Sequence, residues 1–220
     1  PLVSNKDRSG KERESAAPVQ FKKINHRLGI VILPEASLFA EWCSQNLHGL
    51  QIRVHSQWIK VELQDSVKSE QWNHSPHPYF MEYTTSNWIP LSSDNYDEHK
   101  LLCRKLGIAT EIDPLTGKMP YRHEIRHPEE ISYFESLLGE HIKTIAEMDE
   151  AYNGQEIKVR ISSPTIGYSI VQTYHRHDPA EVTARTKLSG FTFLSNVPLS
   201  PHLGYGRILG IGFGMMVRTG

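Results

Sequence analysis

Pro198-Leu-Ser-Pro-His-Leu-Gly204-Tyr-Gly206-Arg207-Ile-Leu-Gly210-Ile-Gly212-Phe-Gly214-Met-Met-Val217 is the most informative stretch of this 220-residue chain. Five of its fifteen glycines fall within eleven residues here. Glycine admits positive φ and lets another backbone approach closely, and successive exposed amides can form a concavity for anions such as phosphate. Three glycine motifs compete for the pattern. A Walker loop closes on Gly-Lys-Ser/Thr, which is absent. A dinucleotide fingerprint needs Gly-x-Gly-x-x-Gly between a strand and a long helix. This chain has Gly-x-Gly-x-x-x-Gly with ten residues remaining after Gly210, so neither nucleotide fold fits. A glycine-rich β-hairpin without a ligand stays open.

Upstream of this stretch, strand-like segments at 187–194, 167–174 and 157–162 follow a helix that Pro128 starts and Asn153-Gly154 ends. Ile131, Phe134, Leu137, Leu138, His141, Ile142, Ile145 and Met148 make its apolar stripe, while Glu129, Glu130, Glu135, Glu140, Glu147, Asp149 and Glu150 make an acidic polar face. Residues 66–128, broken by six prolines, read as loop-rich with short elements. The opening reads β-α-β: a strand from Phe21 to Leu33, a helix from Ala36 to Leu47 with Leu38, Phe39, Trp42, Cys43 and Leu47 at helical spacing, and a strand from Gln51 to Leu63 whose alternation slips once. Residues 1–18, almost without aliphatic side chains, read as a mobile arm.

The formal net charge of −1 is unevenly placed. Residues 1–27 hold seven Lys/Arg against three acids, and residues 155–220 the same, leaving the middle strongly acidic. Two basic flanks around an acidic insert fit a nucleic-acid partner, and ordinary surface scatter fits equally well. The longest apolar run, Ile208 to Val217, is half a bilayer span, so no membrane segment is expected. No secretory signal pattern opens the chain, and Cys43 and Cys103 form no Cys-x-x-Cys pair, which together predict a reducing cytoplasm. His74-x-x-His77, His123-x-x-x-His127 and His175-x-His177-Asp178 offer two or three metal ligands each, but none reaches four at a recognised spacing. No metal and no cofactor is assigned.

Gly204-Tyr-Gly206-Arg207 and Gly210-Ile-Gly212-Phe-Gly214-Met-Met resemble the C-terminal glycine-rich loop of the RAMP superfamily of CRISPR-associated proteins, most closely that of its repeat-processing endoribonucleases. The resemblance implies an α+β fold of tandem ferredoxin-like (RRM-type) halves. Residues 1–20 would form a flexible basic arm, 21–128 an N-terminal half with a loop-rich insertion, and 129–220 a C-terminal half with the glycine-rich loop. It also implies a partner, CRISPR repeat RNA or the processed crRNA, together with other effector subunits. The reaction implied is metal-independent cleavage by the 2′-hydroxyl beside the scissile phosphate. That chemistry needs a group to take the 2′ proton, one to protonate the leaving 5′ oxygen, and donors on the phosphorane. Histidine serves either proton role near neutral pH, and the candidates are His48, His55 and His26 in that order. Arg27 and Arg53, with Tyr83 as a weaker donor, are the candidates for the phosphorane. RNA contacts are expected at Gly204, Tyr205, Gly206, Arg207, Gly210, Gly212 and Gly214, and at Arg176, Arg185 and Lys187, where aromatic rings beside cations suit unpaired bases and phosphates. A non-catalytic relative that caps the 5′ handle of the guide shares the same loop, and an α+β protein with a merely structural glycine loop is a third reading.

Overall fold

The computed structural model describes residues 19–24, 27–33, 36–54, 57–62, 72–85, 87–91, 93–108, 124–149, 152–174, 182–207 and 214–219. The first expected strand is a hairpin, β1 (Val19–Ile24) and β2 (Arg27–Ile32), paired antiparallel from Val19↔Ile32 to Ile24↔Arg27. Helix α1 (Ser37–Asn46) follows. The second expected strand is also a hairpin, β3 (Gln51–Val54) and β4 (Gln57–Lys60), with Val54 opposite Gln57. The slip in its alternation follows from this pairing, because Val54 and Gln57, three apart in sequence, stand opposite each other and share a face.

The helical spacing in α1 does not mark a buried stripe. Cys43 is its one buried residue among those described, Leu38 is 79% exposed, and Phe39 stacks on half-exposed Trp42 with ring centroids 5.9 Å apart.

The centre of the molecule is a four-stranded antiparallel sheet. Its strands are β5 (Met81–Thr85), β7 (Val159–Ile161), β10 (Phe191–Ser195) and β11 (Met216–Arg218), in the spatial order β11-β5-β10-β7. That interleaving, with helices between β5 and β7, is the split β-α-β of ferredoxin-like folds. Between β5 and β7 run α2 (Ser93–Lys105), β6 (Glu124–Ile125) and α3 (Pro128–Ala146). Between β7 and β10 the chain makes a long ribbon, β8 (Ile166–Tyr174) and β9 (Val182–Ser189), which forms a second sheet with β6. The connection from β10 to β11 is the glycine-rich stretch, and its described residues contain no helix.

β5 is thus an inner strand of the same sheet as β7, β10 and β11, although α2, β6 and α3 separate it from them in sequence. Three elements lie inside the proline-rich 66–128 region, β5, β6 and the longer α2, where the sequence suggests only short elements among loops. The α+β class is the one expected.

Alternation along β5 and β10 buries Met81, Tyr83, Thr85, Phe191, Phe193 and Ser195, and α3 meets them with Phe134, Leu137, Leu138, Ile142 and Ile145. Each large apolar side chain so removed from water contributes roughly 1.5–3 kcal/mol before entropy is counted. Pro128 stands in the first turn of α3, where its missing N–H costs nothing, and His127 caps the helix by accepting from Glu129 N. The helix stops at Ala146 rather than near Tyr152, since a tighter turn follows, with Asp149 N bonding Ala146 O. Glu130 does not belong to the acidic outer face: it has no exposed surface. Among the described residues no helix is long and apolar enough to cross a membrane.

Candidate functional site

The described parts of the glycine-rich stretch, residues 204–207 and 214–217, are held by backbone hydrogen bonds. Tyr205 N bonds Gly214 O at 2.8 Å, closing the loop on itself, while Arg207 N bonds Ile89 O at 2.9 Å and Gly214 N bonds Asn87 O at 3.0 Å. Gly204 N donates to the buried side-chain oxygen of Gln20 on β1 at 2.9 Å, which ties the loop to the first strand. Two of its glycines are required by this path. Gly206 (φ +122°) passes so close to Trp88 that a Cβ would lie 2.7 Å from Nε1, and at Gly214 (φ +78°) a Cβ would lie 2.8 Å from Tyr205 N and nearer still to its carbonyl oxygen.

Tyr205 is fully buried, which removes its ring from the base-stacking role expected of it. Its hydroxyl accepts from Ser200 N at 2.9 Å and lies 3.2 Å from His74 Nε2. His74 is buried in turn, with its backbone N donating to Asp149 Oδ2 at 2.8 Å and its Nδ1 3.4 Å from the same oxygen. Burial holds the Tyr205 hydroxyl well above its ordinary pKa, and it lowers that of His74 against the opposing pull of Asp149. The two ring nitrogens of His74 are thus flanked by the Tyr205 hydroxyl on one side and the Asp149 carboxylate on the other. This chain of groups locks the loop to the end of α3.

Backbone hydrogen bonds tie both the loop and β9 to one segment, residues 87–89. Trp88 N and O bond Leu188 O and N at 2.9 and 2.7 Å, so the segment that carries Arg207 and Gly214 also carries the end of β9. Along β9, Arg185 and Lys187 alternate with buried Thr186 and Leu188 and share the opposite face, across from Val171 and Ser169 on β8. Arg207 sits close enough to His141 for its charge to matter. Burial first and Arg207 second push the His141 pKa down to about 3, so that imidazole is neutral at ordinary pH and carries no charge toward a phosphate.

No family model matches the chain, and no curated protein matches it in sequence. Solved structures do. A crystal structure of the CRISPR RNA processing endoribonuclease Cas6b is 14% identical, with a TM-score of 0.55 over 94% of this chain and 83% of that one. A second structure of Cas6b is 15% identical, with a TM-score of 0.60 over 98% of this chain and 83% of that one. The fold is that of Cas6b.

Within the Cas6b fold, the likeness spans both halves, in keeping with tandem ferredoxin-like units. Among the proton-transfer candidates, His48 is exposed in the turn after α1, and that turn is clamped to the end of β4 by Gly49 N to Val61 O at 2.9 Å and Val61 N to Leu50 O at 2.8 Å. His26 and His55 lie outside the described residues, between β1 and β2 and between β3 and β4. Arg27 opens β2 opposite Ile24, and Arg53 lies on β3 opposite Trp58. Arg176, Gly210 and Gly212 also lie outside the described residues.

Tyr83 is taken up by the core of the Cas6b-like sheet: its hydroxyl accepts from Leu199 N at 2.9 Å and donates to Met81 Sδ, which corrects its reading as a phosphorane donor. Of the histidine pairs, His74 is bound as above while His77 stacks on Tyr79, so the two do not converge. His127 caps α3, and His123, His175 and His177 lie outside the described residues. Sequence reading missed Trp88 as the hub of the site. A lone tryptophan in a proline-rich stretch carries no local pattern that would mark it.

Proposed function

We propose that this chain is a RAMP-superfamily endoribonuclease that cuts CRISPR repeat RNA and holds the processed RNA, working in the cytoplasm with other effector subunits. The observation that carries the reading is the glycine-rich loop between β10 and β11, fixed to the 87–89 segment that also holds the Arg185/Lys187 face of β9. Half-buried Arg207 and this ribbon face supply cations on rigid backbone, which suits phosphates held without sequence readout. The likeness of fold to an endoribonuclease over nearly the whole chain supports the same reading.

The reaction needs no metal in this scheme. A histidine, with His48 first and His55 and His26 after it, takes the proton of the 2′-hydroxyl, whose oxygen bonds to phosphorus. The P–O5′ bond breaks, the leaving oxygen gains a proton, and a 2′,3′-cyclic phosphate results. Arg27 and Arg53 stabilise the phosphorane charge. The loop glycines, with Arg207, Arg185, Lys187 and Arg176, hold the backbone of the RNA. Tight binding of repeat RNA whose affinity falls steeply with added salt is the expected result of a filter-binding titration, and salt-insensitive or absent binding would remove RNA as the partner.

A further inference from the structure

α2 is a polar helix, Ser93-Asp-Asn-Tyr-Asp-Glu-His-Lys-Leu-Leu-Cys-Arg-Lys105, that docks on α3 in an unusual way. Among its described side chains only two are buried, His99 and Cys103. Four residues apart, they share one face of the helix, and both meet Glu130 in the first turn of α3. His99 Nε2 lies 2.7 Å from Glu130 Oε1 and 3.4 Å from Cys103 Sγ, and Sγ lies 3.7 Å from the same carboxylate oxygen. Cys103 and Glu130 have no exposed surface and His99 is 5% exposed. Tyr133 stacks on the imidazole at 5.7 Å and Phe134 tilts against it at 5.0 Å, fixing the ring. This is the one group of three metal-ligating side chains among the described residues.

We propose that His99, Cys103 and Glu130 form a structural site for a divalent zinc-type cation that staples α2 to α3. Ligand lengths of roughly 2.0–2.3 Å in tetrahedral geometry separate donor atoms by about 3.3–3.6 Å. The two sulfur distances already match, and the nitrogen and oxygen need to part by about half an ångström. On binding, the Cys103 thiol releases its proton to solvent, and thiolate plus carboxylate neutralise the cation, which suits a buried site. A water sealed in at loading completes the tetrahedron. The staple accounts for a helix that buries no aliphatic side chain fully. It is independent of the RNA reading.

The test is growth of the protein in medium supplemented with zinc or with cobalt, followed by desalting, metal analysis and optical spectroscopy. About one metal ion per chain is expected, and the cobalt form should show a thiolate-to-metal charge-transfer band and the intense visible bands of four-coordinate cobalt. Cys103→Ser and His99→Ala should each lower zinc affinity, read by competition with a chelator, by at least the roughly tenfold that loss of even an outer-shell partner brings. Wild-type protein that folds but retains neither metal, with no charge-transfer band, would overturn the proposal and leave a hydrogen-bonded buried trio; this outcome needs no variant to fold.

Discussion

Gln20 on the first strand accepts, through Oε1, a 2.9 Å hydrogen bond from Gly204 N across 184 positions of sequence. Both groups are buried, so the bond fixes the glycine-rich loop to β1 without competition from water. Replacing Gln20 with Ala leaves the Gly204 amide without this acceptor in a dry site, at a cost of about 1–3 kcal/mol. A lowered urea midpoint with an unchanged m-value checks this.

The loop glycines separate by cause. Gly214→Ala and Gly206→Ala meet both a positive φ and backbone or ring atoms in the way, whereas Gly190 (φ +65°) faces open space and bears the φ penalty alone. Gly190→Ala is expected to cost about 1 kcal/mol, and the other two appreciably more, with a further 1–3 kcal/mol from steric displacement. Denaturant melts of the three variants give the order directly.

Stability should fall on the acid side. His141 titrates at about 3 in the folded protein against 6.5 unfolded, so the unfolded chain binds more protons between those values and stability rises with pH through that window. The contribution is fully present above about 6.5 and is lost progressively as pH drops toward 3. The lowered pKa of His74 acts with the same sign. A His141→Phe variant should flatten the dependence of the urea midpoint on pH across this range.

If the β9 face holds phosphates, Arg185→Ala and Lys187→Ala should each weaken repeat RNA binding and each reduce the slope of log K against log salt by roughly 0.7. A change in affinity without a change in slope would assign these residues a structural role.

These expectations rest on parts of the molecule that were unequally visible in the sequence. The loop and α3 were legible because each is a local pattern: glycine spacing in one, a proline start and a 3.6-residue stripe in the other. The hairpins at 19–32 and 51–60 read as single strands because the sequence there, Asn25-His26 and His55-Ser56, carries neither Asn-Gly nor Asp-Gly, and only the slip in alternation betrays the second. β5 has clean alternation at Met81, Tyr83 and Thr85, but the prolines around it outweighed five residues. α2 was invisible because its docking depends on His99 and Cys103 meeting Glu130 from another helix, a tertiary fact that no helix periodicity contains. The same partner explains why Glu130 left the acidic face to which its spacing assigned it. Tyr205 was misjudged for a related reason: an aromatic beside an arginine reads as a stacking pair until His74 and Ser200 are found on its hydroxyl.

The most direct test is incubation of the purified protein with a labelled repeat RNA from its own CRISPR locus in the presence of EDTA, beside the same RNA carrying a 2′-deoxy sugar at the cleavage position. Cleavage of the first substrate to a product ending in a 2′,3′-cyclic phosphate, with the second left intact, is the result predicted. Tight binding without cleavage of either would contradict catalysis and make the chain a guide-capping subunit, and absence of binding would return the glycine-rich loop to a purely structural role.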